Sequence, residues 1–275
     1  GPLWHLRERL HFVRDNVEPS LLELDLAAHL GARDTWGAFG AREQEVREAL
    51  ALVGGALATR LRTGALSAAA FRESWQSLGY ARNAEGAGTP ADDYLDGLLS
   101  LSAHDTFATP FPFALLNLAT RAVRLADFLS VTEPGVADVV FDLGSGSGKV
   151  ALTVAASTAC TVRGVELEPT YAAASERSAK WLGLRNLAFH AADVRDVDLS
   201  AGNVFFLYYP FHGPVAREVA QRLGALAREK DVTIYAAGPA LEYCEYFLAE
   251  VARGALALAG RRGEFGEGLL LRSAR

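Results

Sequence analysis

Methionine is missing from this sequence of 275 residues, and lysine nearly so: Lys149, Lys180 and Lys230 are the only lysines. Arginine carries almost all the positive charge. With the heavy use of alanine, that skew reads as genome composition rather than function. A chain without methionine has lost its initiator. The opening Gly1-Pro2-Leu3 looks like a protease-cleavage scar and is set apart from the fold. Cysteine is scarce too. Cys160 and Cys244 stand alone, without CxxC or metal-ligand spacing. That argues against a disulfide scaffold or a metal site and for free thiols in a reducing cytoplasm. No apolar run reaches the roughly 20 residues of a membrane span, and no signal-peptide pattern opens the chain, so no membrane partner is expected. No internal repeat is visible. The formal net charge of −6 gives a nucleic-acid or anionic-membrane surface no help, so no nucleic-acid partner is expected either.

What is present is a hydrophobic half and a modest 22% of charged residues. That suffices for one large domain or two smaller ones with a sizeable core. The first hundred residues read as helices. Val46, Leu50, Val53, Leu57 and Leu61 recur at steps of three and four along one helical face. Ser67 can cap a second helix carrying Phe71, Trp75 and Leu78. After the small-residue stretch Asn83–Pro90, Thr89-Pro90-Ala91-Asp92 reads as another helix start, with a capping hydroxyl, a first-turn proline and an early acid.

The character changes near Asp138. "VADVVFDLG", "CTVRGVELEP", "LAFHAADV", "NVFFLYYPF" and "VTIYAAGP" read as short buried strands, and "GEGLLLRSAR" as a last one. Helical segments lie between them: "KVALTVAAS", Tyr171–Leu182, Val215–Arg228 and Ala240–Ala252. Such alternation predicts an α/β fold, a mostly parallel sheet with helices on both faces.

The loop "FDLGSGSGKVAL" (Phe141–Leu152) is the chemical signal. A phosphate-binding P-loop needs G-x-x-x-x-G-K-[ST]. Here Leu143 replaces the first glycine and Val150 the metal-binding hydroxyl. The dinucleotide fingerprint G-x-G-x-x-G fits at Gly144 and Gly146 but meets Lys149 at its third glycine, because Gly148 comes one position early. What remains is D-x-G-x-G-x-G after the first strand, with Glu166 ending the second and Asp193 following the third. That set resembles the class I S-adenosylmethionine (SAM) methyltransferases. The resemblance implies a Rossmann-like, mostly parallel seven-stranded sheet, SAM as cofactor and S-adenosylhomocysteine as product.

It also assigns roles. Gly144, Ser145, Gly146 and Gly148 let backbone pass close under the cofactor. Asp142 holds the ammonium, directly or through water. Glu166, with Leu167 beside it, accepts the two ribose hydroxyls. Asp193 accepts from the adenine amine, with Val194 next to it; Asp196 or Asp198 could take that task instead. The bland alternatives are that Asp142 caps the following helix and that Glu166 is a solvated acid beside Glu168. The chain then divides into an N-terminal helical cap domain (1–103), a linker or lid with the first helix of the catalytic domain (104–137), and the SAM-binding catalytic domain (138–275). In the linker, Thr106, Phe107, Thr109 and Phe111 are lid candidates, and Thr109 is expected to reach the cofactor; a packing loop is the alternative.

Within that superfamily, "DLGSGSGKVALTVAA" resembles the loop DLGSGVGQVVLQVAA of the Dot1-like protein lysine methyltransferases. "GVELEP" with "YAAAS" resembles the family's second-strand segment, and "FLYYPFHGP" parallels FVNNFAFGP. The likeness spans Phe141–Pro214. It departs at the fourth strand, where Tyr208-Tyr209-Pro210 replace the family's Asn-Asn pair. The resemblance implies a protein acceptor, a lysine amine. The departure keeps a small-molecule acceptor open, as well as a SAM-binding module that has lost its acceptor chemistry. Tyr208 and Tyr209 are expected to wall the acceptor pocket, Tyr208 nearer the cofactor, although strand alternation sends only one of them to the site. His212 is the candidate base; a surface turn residue is the alternative.

Overall fold

A computed structural model of the chain describes residues 54–81, 89–99, 120–238, 241–263 and 268–274. Helical residues 54–62 come first. Then follow α1 (Ala68–Gln76), α2 (Pro90–Leu98), α3 (Ala122–Thr132), β1 (Val139–Leu143), α4 (Lys149–Ser157), β2 (Thr161–Glu166) and α5 (Pro169–Leu182). The rest are β3 (Leu187–Ala191), β4 (Val204–Tyr208), α6 (Gly213–Glu229), β5 (Thr233–Ala237), α7 (Leu241–Ala252), β6 (Leu256–Arg262) and β7 (Gly268–Ser273). Among the described residues, no helix is long and apolar enough to cross a membrane.

The local signals act as read. Ser67 Oγ accepts from the Ala70 N–H at 3.2 Å and starts α1. Thr89 Oγ1 accepts from the Asp92 N–H at 3.2 Å and donates to Asp92 Oδ2 at 2.8 Å, so cap and helix satisfy each other at the head of α2. Gly183, in the left-handed region at φ 71°, ends α5.

The sheet order is β3-β2-β1-β4-β5-β7-β6. Strands β1 to β5 pair in parallel, and β7 runs antiparallel to both β5 and β6. Strand order therefore reverses between β1 and β4, which opens a crevice beyond their carboxyl ends. Alternation along β4 sends Val204, Phe206 and Tyr208 to one face and Phe205, Leu207 and Tyr209 to the other. Helices α6 and α7 cover the second face.

The first face is deeper than a plain two-layer cover. Phe71 and Trp75 of α1 and Leu95 of α2 are fully buried in the same cluster as α3, α4 and the sheet. Burying one ring of Phe71's size contributes about 1.5–3 kcal/mol. With the N-terminal helices outside it and the sheet inside, every residue of α4 is buried. This is why "KVALTVAAS" carries apolar and small residues on every side rather than along one stripe, with Lys149 neutralised by its ion pairs. The described N-terminal helices thus share one core with the sheet. The expected boundary at 103/104 lies outside the described residues.

Two local expectations need correction. Strand β6 was not located by the sequence reading, although a seventh strand was expected. Only Leu256 along it is buried, it lies at the sheet edge, and its pairing shifts between Leu258 and Gly260, so no alternating apolar stripe marks it. Leu78 is not on the buried face of α1. The helix ends at Gln76, and Leu78 lies past the cap with 39% of its surface exposed.

Candidate functional site

The loop after β1 is shaped by its glycines. Gly144 and Gly148 sit at φ 78° and 83°, the left-handed region that favours glycine. Space demands them as well. A Cβ on Gly144 would lie 2.1 Å from Pro210 Cβ, and one on Gly148 would lie 2.7 Å from Ser175 Oγ. The Gly144 and Ser145 N–H groups both donate to the Val165 carbonyl, at 2.8 and 2.9 Å, so the loop is hung from β2. Ser145 Oγ is buried and has no hydrogen-bond partner among the described residues.

Asp142 lies on β1 in register with Phe206, and its side chain turns to the α4 face. Its Oδ2 accepts from the Ala151 N–H at 3.1 Å, so the helix-capping role is real. It does not exhaust the carboxylate. Burial pushes Asp142 up to about 7 against the Ala151 hydrogen bond, and Glu166 adds to the rise. Glu166 ends β2. Its Oε2 accepts from the Gly146 N–H at 2.7 Å and its Oε1 from the Glu168 N–H at 2.9 Å. Burial pushes Glu166 up as well, against those backbone donors. Each oxygen keeps a lone pair for a hydroxyl. Glu166 is therefore no solvated acid, and Leu167 beside it is half-buried.

The sheet extends this line. The Ala192 N–H donates to the Glu166 carbonyl at 2.9 Å, which places Asp193 just beyond the end of β3. The Asp193 carboxylate takes Arg195 Nε at 3.0 Å and a second guanidinium nitrogen at 2.6 Å. Those hydrogen bonds hold its carboxyl below the usual range. Val194 is buried against the second face, while Asp198 accepts from Ser200 at 2.8 and 2.9 Å. Asp193, Glu166 and Asp142 thus stand at the ends of three neighbouring strands, and Tyr208 ends the fourth. Three inter-strand spacings span roughly 14 Å.

Beyond β4 the two tyrosines part. Tyr208 is half-buried and packs with the first-face cluster. Tyr209 adopts φ 47°, an uncommon conformation for a bulky residue, and sets its ring edge-on to Tyr243 at 5.2 Å. A Cβ on Gly238 would meet Tyr209 at 2.6 Å, so a glycine makes room for this turn. His212 is the N-cap residue of α6, and its ring makes no capping bond. Thr109 and the lid candidates Thr106, Phe107 and Phe111 lie outside the described residues.

Two contributors were not legible. Lys149, met in the sequence only while testing the glycine-loop fingerprints, reaches across to α2. Its Nζ lies 3.0 Å from Asp92 Oδ1 and 2.8 Å from Asp96 Oδ1, both on α2. Asp92 Oδ1 also takes the Ala122 N–H at 2.5 Å. Arg222 of α6 donates to the carbonyls of Val194 and Arg195 at 2.7 and 2.9 Å. Neither partnership leaves a spacing pattern.

The chemistry of this cleft suits a cation. Burial raises the Asp142 and Glu166 carboxyls, Glu166 adds to the rise of Asp142, and the lysine at the loop is engaged elsewhere. Among the described residues, Lys149 is engaged by α2 and Arg195 by Asp193, whereas an ammonium beside a sulfonium would favour both raised acids ionised. With two hydroxyl-accepting oxygens on Glu166, the residues present fit SAM.

No protein-family model matches the sequence, and none of the curated proteins matches it. Solved structures resemble the fold. One is an RNA methyltransferase from Salinibacter ruber in complex with S-adenosyl-L-homocysteine: 21% identity, TM-score 0.41, covering 57% of this chain and 92% of that one. Another is the precorrin-6y C5,15-methyltransferase of Geobacter metallireducens GS-15: 18% identity, TM-score 0.43, 58% of this chain and 91% of that one. A third is the ribosomal protein L11 methylase of Lactobacillus delbrueckii subsp. bulgaricus: 16% identity, TM-score 0.41, 55% of this chain and 76% of that one. The three act on different acceptors. The chain's own sheet, seven strands and mostly parallel, gives it a Rossmann-like α/β methyltransferase fold.

Proposed function

We propose that the chain is a SAM-dependent methyltransferase whose acceptor is a protein side chain, a lysine amine, in the manner of the Dot1-like enzymes. The observation that carries the cofactor half is the row of carboxylates at three adjacent strand ends around a glycine loop whose lysine is engaged by α2. Asp142 takes the ammonium, Glu166 the ribose, Asp193 and Val194 the adenine.

When bound, SAM supplies a methyl group on an activated sulfonium. The chain's own part is positioning. Tyr208 presents an aromatic edge of the cleft, which favours a cationic donor and a cationic acceptor. Tyr209, turned to Tyr243, shapes the wall behind it. A lysine amine must shed a proton before it attacks, and His212 at the head of α6 takes it. The acidic chain, at net charge −6, suits a basic peptide. The loop sequence supports the Dot1-like assignment, and the Tyr-Tyr-Pro segment is its departure.

The test is methyl transfer from labelled SAM into an extract of the source organism, separated into protein, RNA and small-molecule fractions. Label in a protein band, mapped to lysine, is expected. Label only in small molecules or RNA overturns the acceptor and leaves the cofactor half standing. Binding of SAM with no labelled acceptor in any fraction overturns the enzyme reading in favour of a binding module.

A further inference from the structure

We propose that Arg222 is the positioning residue for the adenine end of the cofactor site. The inference rests on the reading that Asp193 and Val194 meet the adenine, and it adds a residue that touches neither cofactor nor acceptor.

The chain between β3 and β4 makes turns and no helix across residues 192–200. Its carbonyls therefore lack the partners that a helix would give them. Arg222 reaches from α6 and supplies them. One guanidinium nitrogen donates to Val194 O at 2.7 Å and Arg195 O at 2.9 Å, the other to Val197 O at 2.5 Å. One planar fork thus fixes three carbonyls of a single turn, a task that suits arginine and not lysine.

Asp193 stands immediately before that turn and is held at both ends. Upstream, the Ala192 N–H is tied to the Glu166 carbonyl. Downstream, the Asp193 carbonyl accepts from the Asp196 N–H at 3.0 Å, and its Oδ1 accepts from the Arg195 N–H at 2.9 Å, both inside the segment that Arg222 grips. Val194 and Leu199 pack in the cluster that holds Val219 and Leu223, the helical neighbours of Arg222. The apolar plugs set the depth of the turn, and the fork sets its orientation. Arg222 therefore decides where the Asp193 carboxylate points.

The experiment is calorimetric binding of two probes, S-adenosylhomocysteine and S-inosylhomocysteine, to the wild type, Arg222→Ala, Arg222→Lys and Asp193→Asn. In the inosyl probe a carbonyl replaces the adenine amine. The wild type is expected to prefer the adenosyl probe at least tenfold. Arg222→Ala should lose about tenfold on the adenosyl probe and less than threefold on the inosyl one, so that discrimination collapses. Arg222→Lys should fall between. Equal losses on both probes would assign Arg222 to general structure and overturn the proposal, as would an unchanged preference. A wild type without preference, matched by Asp193→Asn, overturns the adenine reading itself and the proposal with it. If Arg222→Ala does not fold, the ratio in Arg222→Lys decides: wild-type discrimination overturns the proposal, and a reduced ratio supports it.

Discussion

Lys149 and Asp92 form an ion pair at 3.0 Å between the first residue of α4 and the first turn of α2, with both side chains almost out of solvent. A lysine at the start of a helix faces the positive end of the helix dipole, an unfavourable place for it. Burial alone would lower its proton affinity, yet Asp96 and Asp92 together hold Lys149 above the ordinary lysine range. In return, burial raises Asp92, and Lys149 together with the Ala122 N–H and the Thr89 hydroxyl outweighs it and holds that carboxyl below its usual value. The glycine loop leads straight into Lys149, so the helices before the sheet are joined to the loop through this pair.

Removing one partner of a buried pair strands the other charge. Lys149→Met should cost about 3–5 kcal/mol of folding stability. Adding Asp92→Asn should recover part of the loss, because the asparagine keeps an oxygen for the Ala122 N–H without the charge. Denaturant titration of the single and double variants measures this. A single variant with unchanged stability would remove the pair from the fold's support.

Asp142 has the opposite energetics. Its folded value is raised to about 7 from 3.8, so the native state binds the proton more tightly than the unfolded chain. Stability contributed by that proton is full below 3.8 and is lost as pH rises through about 7. Asp142→Asn should therefore stabilise the cofactor-free protein at pH 8 by a few kcal/mol, on the order of 4 at most, and change little at pH 3.5. The same variant should lose cofactor affinity at pH 8. In the wild type, SAM affinity should climb with pH until about 7, where Asp142 ionises. Melting curves at both pH values and calorimetry across the range check both halves.

Glu166→Ala should reduce SAM affinity at least a hundredfold, since two hydrogen bonds to a charged carboxylate are worth about 1.5–3 kcal/mol each. Glu166→Gln should lose less, because one oxygen acceptor remains for the Gly146 N–H. Both variants should still fold. Unchanged calorimetric affinity in the alanine variant would sink the ribose assignment.

His212→Ala should lower turnover about 10²–10⁴-fold, the usual contribution of a positioned base, while SAM affinity stays near wild type. Unchanged turnover would return His212 to being only the N-cap residue of α6.

Much of the geometry of the candidate site was readable in the chain because its signals are local. Glycines at alternate positions, acids at the ends of apolar runs, and the hydroxyl and proline that open α2 each act within a few residues. Asp142's double life was foreseen as two alternatives, and the structure shows the cap without removing the carboxylate from the cleft. The unread parts are those made by distance along the chain. Lys149 meets Asp92 across 57 residues, and Arg222 meets Val194 across 28. Strand β6 escaped for another reason: at the sheet edge it buries too little to need an apolar stripe.

Pro210 fills the space that a side chain on Gly144 would need, which limits how the two segments can be engineered. One residue begins the glycine loop, and the other belongs to the segment proposed to shape the acceptor wall. They occupy a space that admits only one side chain, so neither position can change alone. A transplanted acceptor segment with a bulkier residue at 210 would push the loop beneath the cofactor. A side chain gained at 144 would displace the acceptor wall. Changing what this chain modifies, while keeping what it uses to modify, means redesigning residues 208–212 around a proline that stays in place.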